Sequence, residues 1–102
     1  MLWYVGDRYL LEYELRDSIN YGKLLDLSSV DDIIFQLYND DGVQMTKSKT
    51  NGDITVIGAG RIQIDTGTIS LDAGSYRLYI TVTYPNQTIT PVTSEVVVVE
   101  KT

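Results

Sequence analysis

Residues 76–84 of this chain alternate strictly between two kinds of side chain. One set is large and mostly apolar, and its members are Tyr76, Leu78, Ile80, Val82 and Tyr84. The residues between them are Arg77, Tyr79, Thr81 and Thr83. Successive side chains of a β-strand point to opposite faces, so this alternation predicts a strand with one face in a hydrophobic core. The fold must therefore contain a half-buried sheet.

Shorter runs of the same kind predict strands along the rest of the chain and no helix. They cover residues 8–15, 33–38, 43–47, 54–57, 61–65, 68–71 and 95–100. Turn residues separate them at 20–23, 39–42 and 85–87, and Pro91 confines its neighbourhood to an edge or a loop. Strands at this spacing, with turn signals between them, are typical of an all-β sandwich.

The residues just before the long strand point to a more specific architecture. Asp72, Gly74 and Tyr76 form an Asp-x-Gly-x-Tyr sequence. It resembles the tyrosine corner of immunoglobulin-type sandwiches, in which a Tyr hydroxyl bonds to the backbone just upstream. Leu78 stands where an antibody domain carries its second Cys. We expect an all-β, immunoglobulin-like antiparallel β-sandwich of about seven to eight strands with a tyrosine corner. It forms one domain over residues 1–102.

Composition excludes several classes of function. The net charge is −6 with only eight Lys and Arg, too few to neutralise a row of phosphates, so we expect no nucleic-acid partner. The chain has no Cys and no His, which removes thiolate chemistry and the commonest general base and metal ligand. No apolar run approaches the roughly 20 residues of a membrane span, and the start of the chain lacks a secretory signal. We predict a non-enzyme with no catalytic residues, no cofactor and no membrane partner.

Three short motifs favour turns over ligand sites. The Gly-Ala-Gly of residues 58–60 is followed by Gln63 where a dinucleotide loop needs glycine. The acidic pairs 31–32 and 40–41 do not fit the EF-hand pattern, and turn formation explains them more simply than Ca²⁺ binding. We therefore predict no metal site.

Two apolar stretches, residues 2–5 and 96–99, break the half-buried pattern. An apolar terminal strand left at a sheet edge invites pairing with another chain. The last strand is either covered by the domain's own segments or forms part of a protein interface. The first stretch is either an added strand or an arm that docks on a neighbour. For the interface alternative, the candidate residues are Trp3, Tyr4, Val97 and Val99.

The order of short motifs along the chain is similar to the immunoglobulin-like domain at the N-terminus of phage baseplate upper proteins and in related tailed-phage virion proteins. The matching residues are Gly6-Asp7, Leu15-Arg16-Asp17, Leu25-Asp26-Leu27-Ser28, Gly60-Arg61-Ile62, Leu71, Gly74, Tyr76 and Thr93-Ser94. The resemblance implies a non-enzymatic virion structural protein, made in the host cytoplasm, that binds other virion proteins of the capsid, neck, tail or fibre. In that family further domains follow, whereas this sequence ends at Thr102, which favours an accessory, adaptor or decoration subunit, with a homo-oligomer as a further expectation.

The main alternative is a cell-surface or adhesin-type immunoglobulin-like module that binds a glycan or a host protein. Tyr21 and Tyr79 are expected to be exposed and could stack on sugar rings. Such modules usually have a secretion signal and tandem repeats, and neither is visible in this sequence.

Overall fold

The computed structural model describes residues 1–17 and 22–101. Within these ranges the chain forms β-strands and no helix, so the prediction of an all-β fold is confirmed. The strands are β1 (Leu2–Tyr4), β2 (Arg8–Glu14), β3 (Arg16–Asp17), β4 (Lys23–Leu24), β5 (Asp32–Asn39), β6 (Gly42–Ser48), β7 (Ile54–Gly58), β8 (Arg61–Thr68), β9 (Gly74–Thr83) and β10 (Thr88–Glu100). The expected turn at 20–23 and the expected exposure of Tyr21 fall largely or wholly outside the described residues.

Two larger sheets and one small hairpin contain these strands. The five-stranded sheet has the order β1-β10-β9-β5-β6, and the three-stranded sheet has the order β2-β8-β7. Strands β3 and β4 pair separately as two-residue strands. Strand β1 runs parallel to β10, whereas the other described pairs are antiparallel.

The inner faces of both larger sheets contribute to one hydrophobic core. In β9 the predicted alternation is confirmed, because Leu78, Ile80 and Val82 are fully buried and the intervening residues are not. Strand β8 contributes Ile62 and Ile64 from the opposite sheet. Each such aliphatic side chain contributes roughly 1.5–3 kcal/mol to folding, so the core is the main source of stability.

The N-terminal stretch is an added strand of the sheet and fills the core. Trp3 is 1% exposed and stacks between Tyr9 and Phe35, with ring centroids at 5.6 Å and 6.4 Å. Tyr4 follows at the sheet edge, where its backbone N–H donates to the Tyr9 hydroxyl at 2.9 Å. This hydrogen bond satisfies a donor that would otherwise be open to another chain.

The alternative that assigned Trp3, Val97 and Val99 to a protein interface is therefore wrong. Val97 is 0% exposed and Val99 is 1% exposed, because β1 pairs with β10 from Val98 to Glu100 and both strands turn these side chains inward. A residue held in the core cannot contact a partner. Tyr4 is half-buried at the edge of the sheet.

Strand boundaries differ from the prediction in three places. The expected strand at 68–71 is absent as a separate element, since β8 continues to Thr68 and Ile69 then turns to bond with Asp7. The last strand begins at Thr88 rather than 95 and contains Pro91. Pro91 lies within the register shift between Ile89 and Val92, on the part of β10 that β1 does not cover, where a missing N–H is tolerated. The β3–β4 hairpin was not predicted.

Candidate functional site

The outer face of the five-stranded sheet, which is the face turned away from the three-stranded sheet, carries a row of side chains across four strands. Val96 of β10 is paired with Arg77 of β9, and Arg77 is paired with Tyr38 of β5. Tyr38 is in turn paired with Val43 of β6. Directly paired residues lie on the same face of a sheet, so these four side chains are neighbours.

The outer face exposes apolar surface. Three of its large hydrophobic side chains are nearly half exposed: Leu2 at 47%, Val43 at 45% and Val96 at 45%. Leu2 is paired with Val98, which adds a further apolar contact beside Val96. Exposed apolar residues scattered singly are normal, but Leu2 and Val96 lie close together on adjacent strands of one face, which favours a protein contact.

A groove of about 330 Å³ lies at one end of the outer face, beside the β5–β6 turn. Its lining residues are Tyr38, Asn39, Asp40, Ser75, Tyr76, Arg77 and Val96. The groove therefore combines an apolar wall, an aromatic ring and two opposite charges. A second groove, of about 420 Å³, lies between residues 25–28 and residues 56–60.

Two tyrosine rings on the outer face are held in defined positions. Tyr38 and Tyr79 pack edge to face with centroids 5.1 Å apart and an interplanar angle of 82°. The Tyr38 hydroxyl donates to Gln36 Oε1 at 2.8 Å. An aromatic pair fixed in this way presents a large contact area that loses little conformational entropy on binding.

Arg77 and Asp40 are both exposed and border the same groove. Within residues 1–17 and 22–101, neither side chain forms an ion pair or a hydrogen bond. Elsewhere in the described residues, Arg8 pairs with Asp65 and Arg16 pairs with Glu14. The groove thus holds one cation and one anion whose hydrogen-bonding capacity is available to a partner.

The residues of the expected tyrosine corner lie next to this groove. The Tyr76 hydroxyl donates to the carbonyl oxygen of Asp72 at 2.6 Å, which is the backbone contact expected from the sequence. Burial, and secondarily the charge of Asp72, raise the pKa of Tyr76. Gly74 has φ of +152°, a conformation that side-chain-bearing residues rarely adopt. The tyrosine corner fixes the start of β9 and therefore the position of Arg77.

Two residues of the acidic pairs, Asp32 and Asp41, hydrogen-bond to nearby parts of the chain. Asp32 Oδ1 accepts hydrogen bonds from the backbone N–H of Ile33 and of Thr50, at 2.8 Å and 3.1 Å. The N–H of Asp41 donates to Asn39 Oδ1 at 2.9 Å. Across the described residues, no group of three or more potential ligands is placed to hold a metal ion.

Two charged contacts elsewhere are structural. Tyr13 of β2 donates to Glu95 Oε2 of β10 at 3.3 Å, and burial, followed by the Glu95 charge, raises the pKa of Tyr13. On β8, the hydrogen bond from Arg8 lowers the pKa of Asp65 to about 2, with help from the N–H of Gly67. Neither contact borders the outer-face groove.

The sequence indicated part of this site and missed the rest. Alternation placed Arg77 and Tyr79 away from the core, as observed. The row through Val96, Tyr38 and Val43 could not be predicted, because it depends on the register of four strands that are distant in sequence.

No family model, curated protein or solved structure matches this chain. Among the described residues, no helix is long and apolar enough to cross a membrane.

Proposed function

We propose that the chain is a non-enzymatic structural subunit of a bacteriophage virion, which binds other virion proteins through the outer face of its five-stranded sheet. The observation that carries the binding mode is the row Val96–Arg77–Tyr38–Val43, in which apolar, aromatic and charged side chains adjoin a groove. Tyr and Arg are enriched in the cores of protein interfaces. The virion context rests on the resemblance of the sequence to tailed-phage virion proteins.

The strand order supports an immunoglobulin-like sandwich. Apart from β1 and the small β3–β4 hairpin, the strands divide into β2, β7 and β8 in one sheet and β5, β6, β9 and β10 in the other. An immunoglobulin variable-type domain divides its B, D and E strands from its C, C′, F and G strands in the same way. The Tyr76 hydrogen bond lies just inside the strand that corresponds to F, where the tyrosine corner belongs.

A virion supplies many copies of each binding site, so a modest affinity for each copy suffices. The outer face fits that role because few of its large hydrophobic side chains are exposed and its charges are exposed. A permanent, obligate interface is usually larger and more hydrophobic.

The test is the occupancy of the chain in purified particles of the phage that encodes it, measured by quantitative mass spectrometry. We expect Val96→Asp to lower occupancy at least about tenfold, because a charge would be buried against the partner. Leu10→Asp is the matched control, since Leu10 is 61% exposed and lies on the three-stranded sheet. Absence of the native chain from particles, or equal occupancy of the two variants, would contradict the proposal.

Removal of residues 1–5 is not a clean test of docking. The deletion would take Trp3 out of the core, so loss of occupancy would report unfolding rather than a missing arm. Surface substitutions on the outer face avoid this problem.

A second candidate function, glycan binding by an adhesin-type module, is favoured by the composition of the groove. Asp40 can accept hydrogen bonds from sugar hydroxyls, and Asn39 and Arg77 can donate to them, beside the Tyr38 ring. Titration with oligosaccharides of a bacterial cell wall, followed by NMR, distinguishes the two functions. Saturable shifts confined to the groove would favour the glycan module, and no shifts at millimolar sugar would favour the protein contact.

A further inference from the structure

We propose that the partner on the outer face is a second copy of this chain, bound through a two-fold axis that pairs Arg77 of each copy with Asp40 of the other. The inference rests on the proposed function, because it names the partner of the same surface. It starts from the two unpaired charges of the groove.

The charges of the groove are self-complementary. Arg77 and Asp40 border one groove without forming an ion pair within the chain. A two-fold axis through the groove brings each Arg77 to the Asp40 of the other copy, so a single geometric match is made twice. Two charge-assisted hydrogen-bonded pairs then form in place of four unpaired groups.

The apolar residues surround this charged centre. Val96 and Tyr38 flank Arg77 on either side in the row, and Leu2 and Val43 lie further out on the same face. In a two-fold contact the half-exposed apolar side chains of one copy meet those of the other. Burial of Val96 and Leu2 against apolar neighbours supplies the hydrophobic part of the association.

The area of the face suits a weak dimer. Five strands about 4.8 Å apart are roughly 24 Å wide, and the outer residues of β9 from Ser75 to Thr83 span roughly 26 Å. The whole projected face is therefore on the order of 600 Å², and a contact centred on the groove at one end of it buries less than this, below the roughly 800 Å² per partner of a standard interface. We expect a dissociation constant on the order of 10 μM, since the net charge of −6 on each copy also opposes association.

The first measurement is the solution mass of the chain by sedimentation velocity, from about 1 μM to about 500 μM in about 0.15 M salt. The monomer has a mass of 11.5 kDa, and we expect a concentration-dependent rise to twice that value. A constant monomer mass up to the highest concentration would overturn the proposal. A trimer or larger ring would also overturn it, because a two-fold contact closes at two copies.

Charge reversal tests the pairing itself. Arg77→Asp and Asp40→Arg each place like charges together twice, so each variant alone should dimerise at least about tenfold more weakly. An equimolar mixture of the two variants restores both opposite-charge pairs and should dimerise like the native chain. The double variant Arg77→Asp, Asp40→Arg should also dimerise like the native chain, because both opposite-charge pairs are present with their signs exchanged.

The controls separate pairing from folding. Both residues are exposed, so the urea midpoints of the variants should match that of the native chain. Arg61→Asp is the matched control, since Arg61 is an exposed arginine of the three-stranded sheet and its reversal should leave dimerisation unchanged. If the equimolar mixture of Arg77→Asp and Asp40→Arg dimerises as weakly as either variant alone, the Arg77–Asp40 contact is refuted.

The outcomes for the dimer and for the virion role are independent. If the chain stays monomeric while Val96→Asp still reduces occupancy in particles, the outer face binds a different virion protein and the dimer is refuted. If the dimer forms and responds to charge reversal while the native chain is absent from particles, the dimer stands and the virion role is refuted.

Discussion

Tyr76 and Tyr84 make the same kind of hydrogen bond in different surroundings. The Tyr76 hydroxyl donates to the carbonyl oxygen of Asp72, and the Tyr84 hydroxyl donates to that of Asp26, at 2.6 Å and 2.8 Å. Tyr76 is 4% exposed, whereas Tyr84 is half-buried with its hydroxyl bond open to solvent. The Tyr76 hydrogen bond is partly buried, and an acceptor left unpaired there costs more than one that water reaches freely.

We therefore expect Tyr76→Phe to lower the free energy of unfolding by about 1–2 kcal/mol. The matched variant Tyr84→Phe should lower it by less than about 0.5 kcal/mol, because water replaces the lost hydroxyl. Urea denaturation followed by tryptophan fluorescence measures both values. Equal losses in the two variants would show that the corner hydroxyl is no more important than a surface contact.

At the scale of the element, β1 joins a buried aromatic residue to an exposed apolar one. Trp3 packs into the core between two rings, whereas Leu2, its neighbour, points to the outer face. Among the described residues, the indole Nε1 of Trp3 is buried and has no hydrogen-bond partner. The ring thus stabilises the fold through contact area, while its N–H detracts from that stability.

Substitution of these two neighbours should separate folding from binding. Trp3→Ala should lower the free energy of unfolding by about 3–5 kcal/mol, because it leaves a large cavity. Leu2→Ala should change it by less than about 0.5 kcal/mol. Trp3→Phe should be less costly than Trp3→Ala, since it keeps a ring and removes the unpaired donor. Calorimetry measures all three, and a mild effect of Trp3→Ala would refute the role of β1 in the core.

Elements with a strong local pattern could be predicted from the sequence, and elements defined by distant contacts could not. The alternation in β9 and β5 identifies Leu78, Ile80 and Phe35 as buried, because period-two patterning is a local signal. The parallel pairing of β1 with β10 joins residues at opposite ends of the chain and has no local signal. For the same reason Val97 and Val99 favour an interface when the sequence is read alone, although their side chains lie in the core beside β1.

At the scale of the whole molecule, the two larger sheets are joined by a polar contact as well as by the core. Tyr13 lies on the three-stranded sheet and Glu95 on the five-stranded sheet, and their side chains meet at 3.3 Å. Because burial and the Glu95 charge raise the pKa of Tyr13, the folded protein holds this proton more tightly than the unfolded chain.

Stability should therefore fall at alkaline pH. Unfolded tyrosines ionise near pH 10, about the value for model peptides, while folded Tyr13, Tyr76 and Tyr84 have raised pKa values and keep their protons to higher pH. The unfolded state then binds fewer protons, so the contribution of these tyrosines to the free energy of unfolding is level below about pH 9 and decreases above about pH 10.

Tyr13→Phe tests the contribution of the contact between the sheets. We expect the variant to be less stable than the native protein at neutral pH, with a difference that stays constant to about pH 9 and narrows above about pH 10. Urea midpoints at a series of pH values measure this difference. A difference in stability that is independent of pH through the alkaline range would contradict the raised pKa of Tyr13.

The parallel contact between β1 and β10 determines how the molecule would resist mechanical tension between its ends. The Val98 N–H donates to the Met1 carbonyl at 2.8 Å, and the Val5 N–H donates to the Glu100 carbonyl at 2.9 Å. Traction on the two ends would slide these strands past each other along their length. This sliding would load all the hydrogen bonds between the two strands at the same time, in shear. The bonds would therefore not break one after another from one end.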